Sequence, residues 1–198
     1  MTGYKLYYAR ARGEVKIIQL IFAAAGRNYE DIQLNDDDLK TFAKDYGIPA
    51  TAFPLLQFGD NEFLCFTEVI SRSLAREFGL VPKDNRQHSA VDFVCELVEH
   101  LAQLTGIYQA TANQRAKEDS KNRIHEILHL LAGVLKKLKG QGAFFLGDKI
   151  SMADLSFFLW SGFVTSVIPD VMPNHPTLQT LVDHVKSNAN VSKWLTSK

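Results

Sequence analysis

Cysteine is scarce in this chain: Cys65 and Cys95 are its two, and no Cys-x-x-Cys pair occurs. Two thiols cannot build the disulfide framework of a small secreted domain, and the missing pair argues against dithiol exchange. An excess charge of one sign is also lacking. Twenty-two Lys and Arg balance 22 Asp and Glu, so no long-range field draws the chain to nucleic acid or to an anionic membrane. The longest apolar run, 155–168, is interrupted by Ser156, Ser161, Gly162, Thr165 and Ser166. At about 14 residues it also falls short of the roughly 20 that a bilayer helix needs. The opening Met-Thr-Gly-Tyr-Lys lacks the basic-then-apolar order of a secretory signal. These absences lead to the expectation of a cytoplasmic protein without a membrane or nucleic-acid partner. What is present is apolar material: 46% of 198 residues are hydrophobic, ample for a packed core and incompatible with intrinsic disorder.

The chain reads as two halves of different grain. Up to residue 80, short strand-like and helix-like pieces alternate. Tyr4-Lys5-Leu6-Tyr7-Tyr8 is aromatic-rich and sets Tyr4, Leu6 and Tyr8 on one strand face. Residues 13–25 form a helical pattern stopped by Gly26, 29–34 a second strand, and 36–46 a polar helix. Residues 54–58 and 62–64 flank Gly59-Asp60-Asn61 as a hairpin, and Thr67 is read as the cap of a helix through 78. That order predicts a small mixed sheet with helices against it, a thioredoxin-like plan. A polar linker, 81–87, follows. From 88 to 198 apolar residues recur at helical spacing, first over Val91 to Leu104 and then over Ile124 to Leu138, with shorter helices at 151–168 and 177–187. The expected fold class is therefore an α/β domain over 1–80 and an all-α domain over 88–198.

Three features together carry a family resemblance. Tyr8 ends the first strand ahead of Arg12-Gly13; Phe53-Pro54 opens the third strand and Phe66-Thr67-Glu68-Val69-Ile70 the third helix. Phe145-Leu146-Gly147-Asp148-Lys149-Ile150-Ser151-Met152-Ala153-Asp154 leads into a later helix, with Ser151 and Asp154 as a capping box. With the two-part division, the chain resembles the cytosolic glutathione transferases over nearly its whole length, the invertebrate sigma class above all. The resemblance implies the glutathione transferase fold, a homodimer, a detoxifying role, and glutathione as co-substrate with no cofactor.

Conjugation needs a thiolate. A free thiol of pKa about 8.5 is only a few per cent ionised at neutral pH, and making it mostly ionised takes roughly 2 pKa units, or about 2.7 kcal/mol. A hydroxyl donating to the sulfur anion supplies about 1.5–3 kcal/mol. The resemblance assigns that role to Tyr8; read from its strand alone, Tyr8 is an ordinary strand aromatic. Thr67 stands where the family binds the γ-glutamyl carboxylate at a helix N-terminus, but Phe66 replaces the amide that usually precedes the hydroxyl. Phe53-Pro54 matches the family's cis-proline step, whose preceding backbone pairs with the cysteinyl part of glutathione; from the residues alone a trans bond is the expectation. Lys44 matches a lysine that meets the glycine carboxylate, with Leu39 or Lys40 where an aromatic partner is expected. Asp92 matches an acidic residue that reaches the neighbouring subunit's glutathione. Glu14 stands near a position that is often basic, with Arg10 and Arg12 close enough in sequence to offset it.

Family architecture places a small hydrophobic electrophile among Tyr8, Arg10, Ala11, Leu104 and Tyr108. His125 and His129 are four apart, compatible with a metal pair on one helix face, but no third ligand presents itself and no metal is expected. Conjugation, glutathione-dependent peroxide reduction or prostaglandin-type isomerisation, and a non-catalytic ligand-binding or crystallin-like role all remain open at this level.

Overall fold

The aromatic-rich opening segment becomes the strand around which the first unit is built. In the computed structural model, which describes residues 3–9, 15–59 and 62–196, β1 (Tyr4–Ala9) lies between β2 (Tyr29–Leu34) and β3 (Leu55–Phe58), with β4 (Glu62–Cys65) beyond β3. β1 runs parallel to β2, whose crossover is α1 (Lys16–Ala24), and antiparallel to β3. Gly26, at φ 62°, turns the chain out of that helix. The expected helix start at 13 and 14 lies outside the described residues.

Alternation along β1 separates two faces. Tyr4, Leu6 and Tyr8 share one, and Tyr4 meets Phe22 of α1 at 5.2 Å between ring centroids, with Tyr29 of β2 stacked on the same ring at 4.4 Å. Tyr7 and Ala9 share the other, packed with Phe53 and Leu55 against Leu39 and Ala43 of α2 (Asp36–Asp45). Asn35 caps α2, its side chain accepting from the Asp37 and Asp38 amides at 3.1 and 2.9 Å, and three aspartates occupy the first turn. A polar helix of low intrinsic stability is thereby nucleated at its N-terminus. A 3-10 turn at Ala50–Ala52 precedes β3, and α3 (Thr67–Glu77) follows β4.

Gly79–Ser192 form the second unit, and Met1–Phe78 group with Lys193–Lys198 in the first. The second unit carries α4 (Asn85–Ala110), α5 (Gln114–Leu138), α6 (Met152–Val167), α7 (Pro176–Ser187) and the start of α8 (Ala189–Thr196). Residues 85–87, read from sequence as linker, are the first turn of α4, because the Asp84 carboxylate accepts from the Arg86 and Gln87 amides at 3.1 and 3.0 Å. The eighth helix was not anticipated. Within this unit Asp154 is fully buried and accepts from the Phe145 amide (2.8 Å), the Ser151 amide (2.8 Å) and the Ser151 hydroxyl (2.6 Å). The expected capping box is therefore present. Gly142 is held to glycine by a close crossing: a Cβ there would lie 2.1 Å from the Gly147 carbonyl carbon.

Candidate functional site

The strand registers gather the site. β1 and β3 pair from Tyr4 with Phe58 to Tyr7 with Leu55, and β3 pairs with β4 from Phe58 with Glu62 to Leu55 with Cys65. One step further, Tyr8 stands opposite Gln33 on β2, and Pro54 and Phe66 directly adjoin the last paired residues of β3 and β4 at the same end of the sheet. There the regular pairing stops, and the Phe66 amide donates instead to the Ala52 carbonyl at 3.0 Å, two residues before the position that the register would set opposite it. Three of the residues singled out in the sequence thus meet at one sheet end, and Phe53 and Thr67 adjoin them.

The Phe53–Pro54 peptide bond is cis, as the family resemblance implied and the residues alone did not. Phe53 is itself buried against α2. Phe66 is the one described non-glycine residue with positive φ, at φ 68° and ψ 131°, a conformation that costs a side-chain-bearing residue about 1–3 kcal/mol. Its ring is 55% exposed. Contrary to the sequence reading, Phe66 and not Thr67 is the N-cap of α3. The backbone reverses at Phe66, so Thr67 already has helical geometry and its hydroxyl has no amide to cap. No side chain caps this helix. The Thr67 Oγ1 is buried without a hydrogen-bond partner among the described residues, as is Ser71 Oγ one turn along. An uncapped helix start beside an unpartnered hydroxyl is a place where an anion finds donors and a favourable dipole.

Tyr8 stands at the same sheet end, but its side chain is tied to β2. Its hydroxyl donates to Asp31 Oδ2 at 3.2 Å and accepts from Gln19 Nε2 at 3.3 Å. Asp31 is registered with Leu6, so the phenol points towards β2 and away from Pro54 and Phe66. Gln19, on α1 and only 3% exposed, also donates to Asp31 at 3.4 and 3.5 Å. Burial first, and then the Asp31 charge, push the Tyr8 phenol above its ordinary pKa, which keeps it a proton donor at neutral pH. The neighbouring Tyr29 phenol, which shares the Gln19 amide, is raised for the same reasons.

Gln19 and Asp31 were missed in the sequence. Both left a signal: Gln19 is a lone polar residue within Ile17-Ile18-Gln19-Leu20-Ile21, and Asp31 holds the same strand phase as Tyr29. Lys44 is exposed on the last turn of α2 and makes no side-chain bond to another described residue. Leu39 is buried under the sheet, and Lys40 pairs with Asp37 at 3.3 Å, so neither supplies the expected aromatic. The aromatics here are instead Phe42 of α2, beside Tyr7 at 4.5 Å, and Tyr46 just past its end, stacked on Phe42. Burial raises the half-buried Cys65 thiol, which makes it a weak nucleophile.

Arg10, Ala11, Arg12 and Glu14 lie outside the described residues. Asp92, Leu104 and Tyr108 belong to α4 of the second unit. There the Asp92 carboxylate faces His88 at 3.7 Å, Leu104 is packed in the core, and the Lys117 ammonium stands 5.7 Å from the centre of the Tyr108 ring. His175 joins His125, with ring centroids 5.8 Å apart. Among the described residues no group of three or more His, Cys, Asp or Glu is arranged to hold a metal, and no helix is long and apolar enough to cross a membrane.

A family model described as "Glutathione S-transferase, C-terminal domain" matches residues 96–198. Glutathione S-transferase 1 of Ascaris suum is 30% identical over 100% of this chain and 98% of its own. S-crystallin 2 of Enteroctopus dofleini is 26% identical over 98% of this chain and 96% of its own. The crystal structure of the glutathione S-transferase from Ascaris lumbricoides superposes with a TM-score of 0.82 at 26% identity, covering 98% of this chain and 97% of that one.

Proposed function

The chain belongs to the glutathione S-transferase family, and from that premise we propose that it binds glutathione at the end of the first unit's sheet and adds the glutathione sulfur to small hydrophobic electrophiles. The observation that carries this reading is the uncapped start of α3, where the Thr67 hydroxyl is buried without a partner among the described residues, at the sheet end that also holds Tyr8. The γ-glutamyl carboxylate takes the α3 start, receiving first-turn amides and the Thr67 hydroxyl. The cysteinyl backbone pairs with Phe53, and Lys44 meets the glycine carboxylate.

Tyr8 supplies the chemistry by donating to the sulfur as its proton leaves to solvent. With an aryl halide the thiolate forms the new C–S bond, and the C–halogen bond breaks with its electron pair on the departing halide. One charge-assisted hydrogen bond of about 1.5–3 kcal/mol covers most of the roughly 2.7 kcal/mol that neutral-pH ionisation requires. The family's usual assembly adds a second copy, with Asp92 reaching the neighbour's glutathione; a monomer in light scattering would remove that part of the reading. Membership of the sigma class and a detoxifying role belong to the same proposal.

A non-catalytic, crystallin-like role is favoured by two observations: the Tyr8 hydroxyl is engaged with Asp31 and Gln19, and Phe66 stands where the family carries an amide. Passage over immobilised glutathione, then assay with a chromogenic aryl halide, separates the two. Retention with turnover is expected. Failure to bind overturns the transferase reading, and retention without turnover favours the crystallin-like one.

A further inference from the structure

We infer that Asp31 competes with the glutathione sulfur for the Tyr8 hydroxyl, acting as a built-in brake on thiolate formation. This rests on the proposed glutathione site. The Tyr8 hydroxyl has one proton to donate, and at rest that proton points at Asp31 Oδ2, 3.2 Å away. Gln19 fastens the arrangement by donating to both the phenol oxygen and the carboxylate. The bond lies on the β2 side of β1, in the row of Leu6, whereas Pro54 and Phe66 stand at the sheet end on the β3 side. To serve a sulfur held beside Phe53, the phenol must leave Asp31 and turn towards β3.

The hold is weak by design of its geometry. An O–H···O⁻ bond at full strength is about 2.5–2.7 Å long, and the longer contact here involves a solvent-exposed carboxylate. A long, exposed bond can be exchanged for one to a thiolate. The carboxylate charge adds to the effect, since an anion near the phenol also opposes a second anion on sulfur. The groups facing this carboxylate among the described residues are Tyr8, Tyr29 and Gln19. None of them is a cation that would cancel it; Lys5 pairs with Glu30 on the opposite strand phase, at 3.6 Å. Asp31 touches no reacting atom and is a positioning residue that acts through Tyr8.

The test is a double-mutant cycle, with glutathione itself as the probe. The thiolate absorbance of bound glutathione is titrated in wild type, Asp31→Asn, Tyr8→Phe and the double variant. Asp31→Asn is expected to lower the bound thiol's pKa by about half a unit to one unit, a threefold to tenfold gain in ionisation, and to raise kcat/KM with an aryl halide by a similar factor below that pKa. In the Tyr8→Phe background most of that shift should vanish. An equal shift in both backgrounds would mean plain charge repulsion and overturns the proposal, as does an unchanged or raised thiol pKa in Asp31→Asn.

A ligand-free measurement separates this idea from the glutathione reading. Ultraviolet titration of the tyrosines should show the Tyr8 phenol ionising at lower pH in Asp31→Asn than in wild type. If that shift occurs but glutathione does not bind, the glutathione reading fails, and the brake fails with it; if glutathione binds and the phenol does not move, the brake alone fails. Asp31→Ser serves as the second variant should Asp31→Asn melt well below wild type, with the same outcomes attached.

Discussion

Replacing Asp154 by Ala should cost the protein stability without touching the proposed glutathione site. The carboxylate is fully buried and accepts three hydrogen bonds, from the amides of Phe145 and Ser151 and from the Ser151 hydroxyl. Phe145 and Ser151 are buried as well, so Ala leaves donors with no water to turn to. Each orphaned donor costs about 1–3 kcal/mol, eased where the Ser151 hydroxyl can rotate, so the loss should be about 3–5 kcal/mol. Against a typical total of roughly 5–15 kcal/mol, that is a large share. Asn keeps one acceptor oxygen but turns an amide towards one donor, and should cost about 2 kcal/mol.

Acidity gives the same residue a signed test. Burial pushes the Asp154 carboxyl from 3.8 to about 6, although its three donors pull the other way. The folded value is then above the unfolded one, so the native state holds the proton more tightly. The contribution is complete below about pH 4 and is lost as pH rises through 6, a fall of about 3 kcal/mol. Urea unfolding followed by tryptophan fluorescence at several pH values checks both claims. The gap between wild type and Asp154→Ala should be wider at pH 4 than at pH 7. A gap that widens towards neutrality would refute the burial argument, because the donors would then outweigh desolvation. An unchanged urea midpoint would refute the structural role altogether.

Other variants probe the first unit. Tyr8→Phe should cut aryl-halide turnover by about tenfold to a hundredfold, the loss of one charge-assisted bond, while retention on immobilised glutathione stays close to wild type; equal loss of both would mark Tyr8 as packing. Thr67→Val should weaken glutathione binding by about threefold to tenfold in calorimetry, and unchanged affinity would remove the hydroxyl from the site. Phe66→Gly should raise the urea midpoint, since glycine accepts φ 68° without the strain that a side chain incurs there; a lowered midpoint would show that the exposed ring packs to useful effect.

Much of the fold was legible because local signals agreed. β2 runs over the expected residues, and Gly26 and the Ser151–Asp154 box close and open helices where their chemistry predicts. The errors share a physical cause. Thr67 looks like a cap because its hydroxyl is of the capping type, but the helix start is decided by the backbone reversal at Phe66, which no propensity scale assigns to an aromatic. The linker is shorter than the apolar rhythm implies because Asp84 caps α4 ahead of its first core residue. In the site, the placing of Tyr8, Pro54 and Phe66 at one sheet end follows from where the strands and the hairpin begin and end, which the sequence marks. The direction of the Tyr8 ring is not, since it depends on Gln19 and Asp31 arriving from two other elements.

That direction bears on how far this chain departs from catalysis. A phenol tied to an exposed carboxylate by a 3.2 Å bond gives up about 1 kcal/mol of what it could offer a thiolate, and a missing amide at Phe66 removes one further bond of about 0.5–1.5 kcal/mol from binding. The first loss falls on ionisation and the second on affinity, and neither reaches the roughly 2.7 kcal/mol that separates a mostly protonated thiol from a mostly ionised one. On the proposed reading the two departures therefore weaken glutathione binding and ionisation without abolishing either. They also act on different steps: restoring the amide by Phe66→Gln should tighten glutathione about threefold to tenfold with little change in the bound thiol's pKa, whereas Asp31→Asn should move that pKa with little change in retention. A chain in which Phe66→Gln alone restored ionisation would contradict this division, because an amide at the α3 start acts on the carboxylate end of the tripeptide and not on its sulfur.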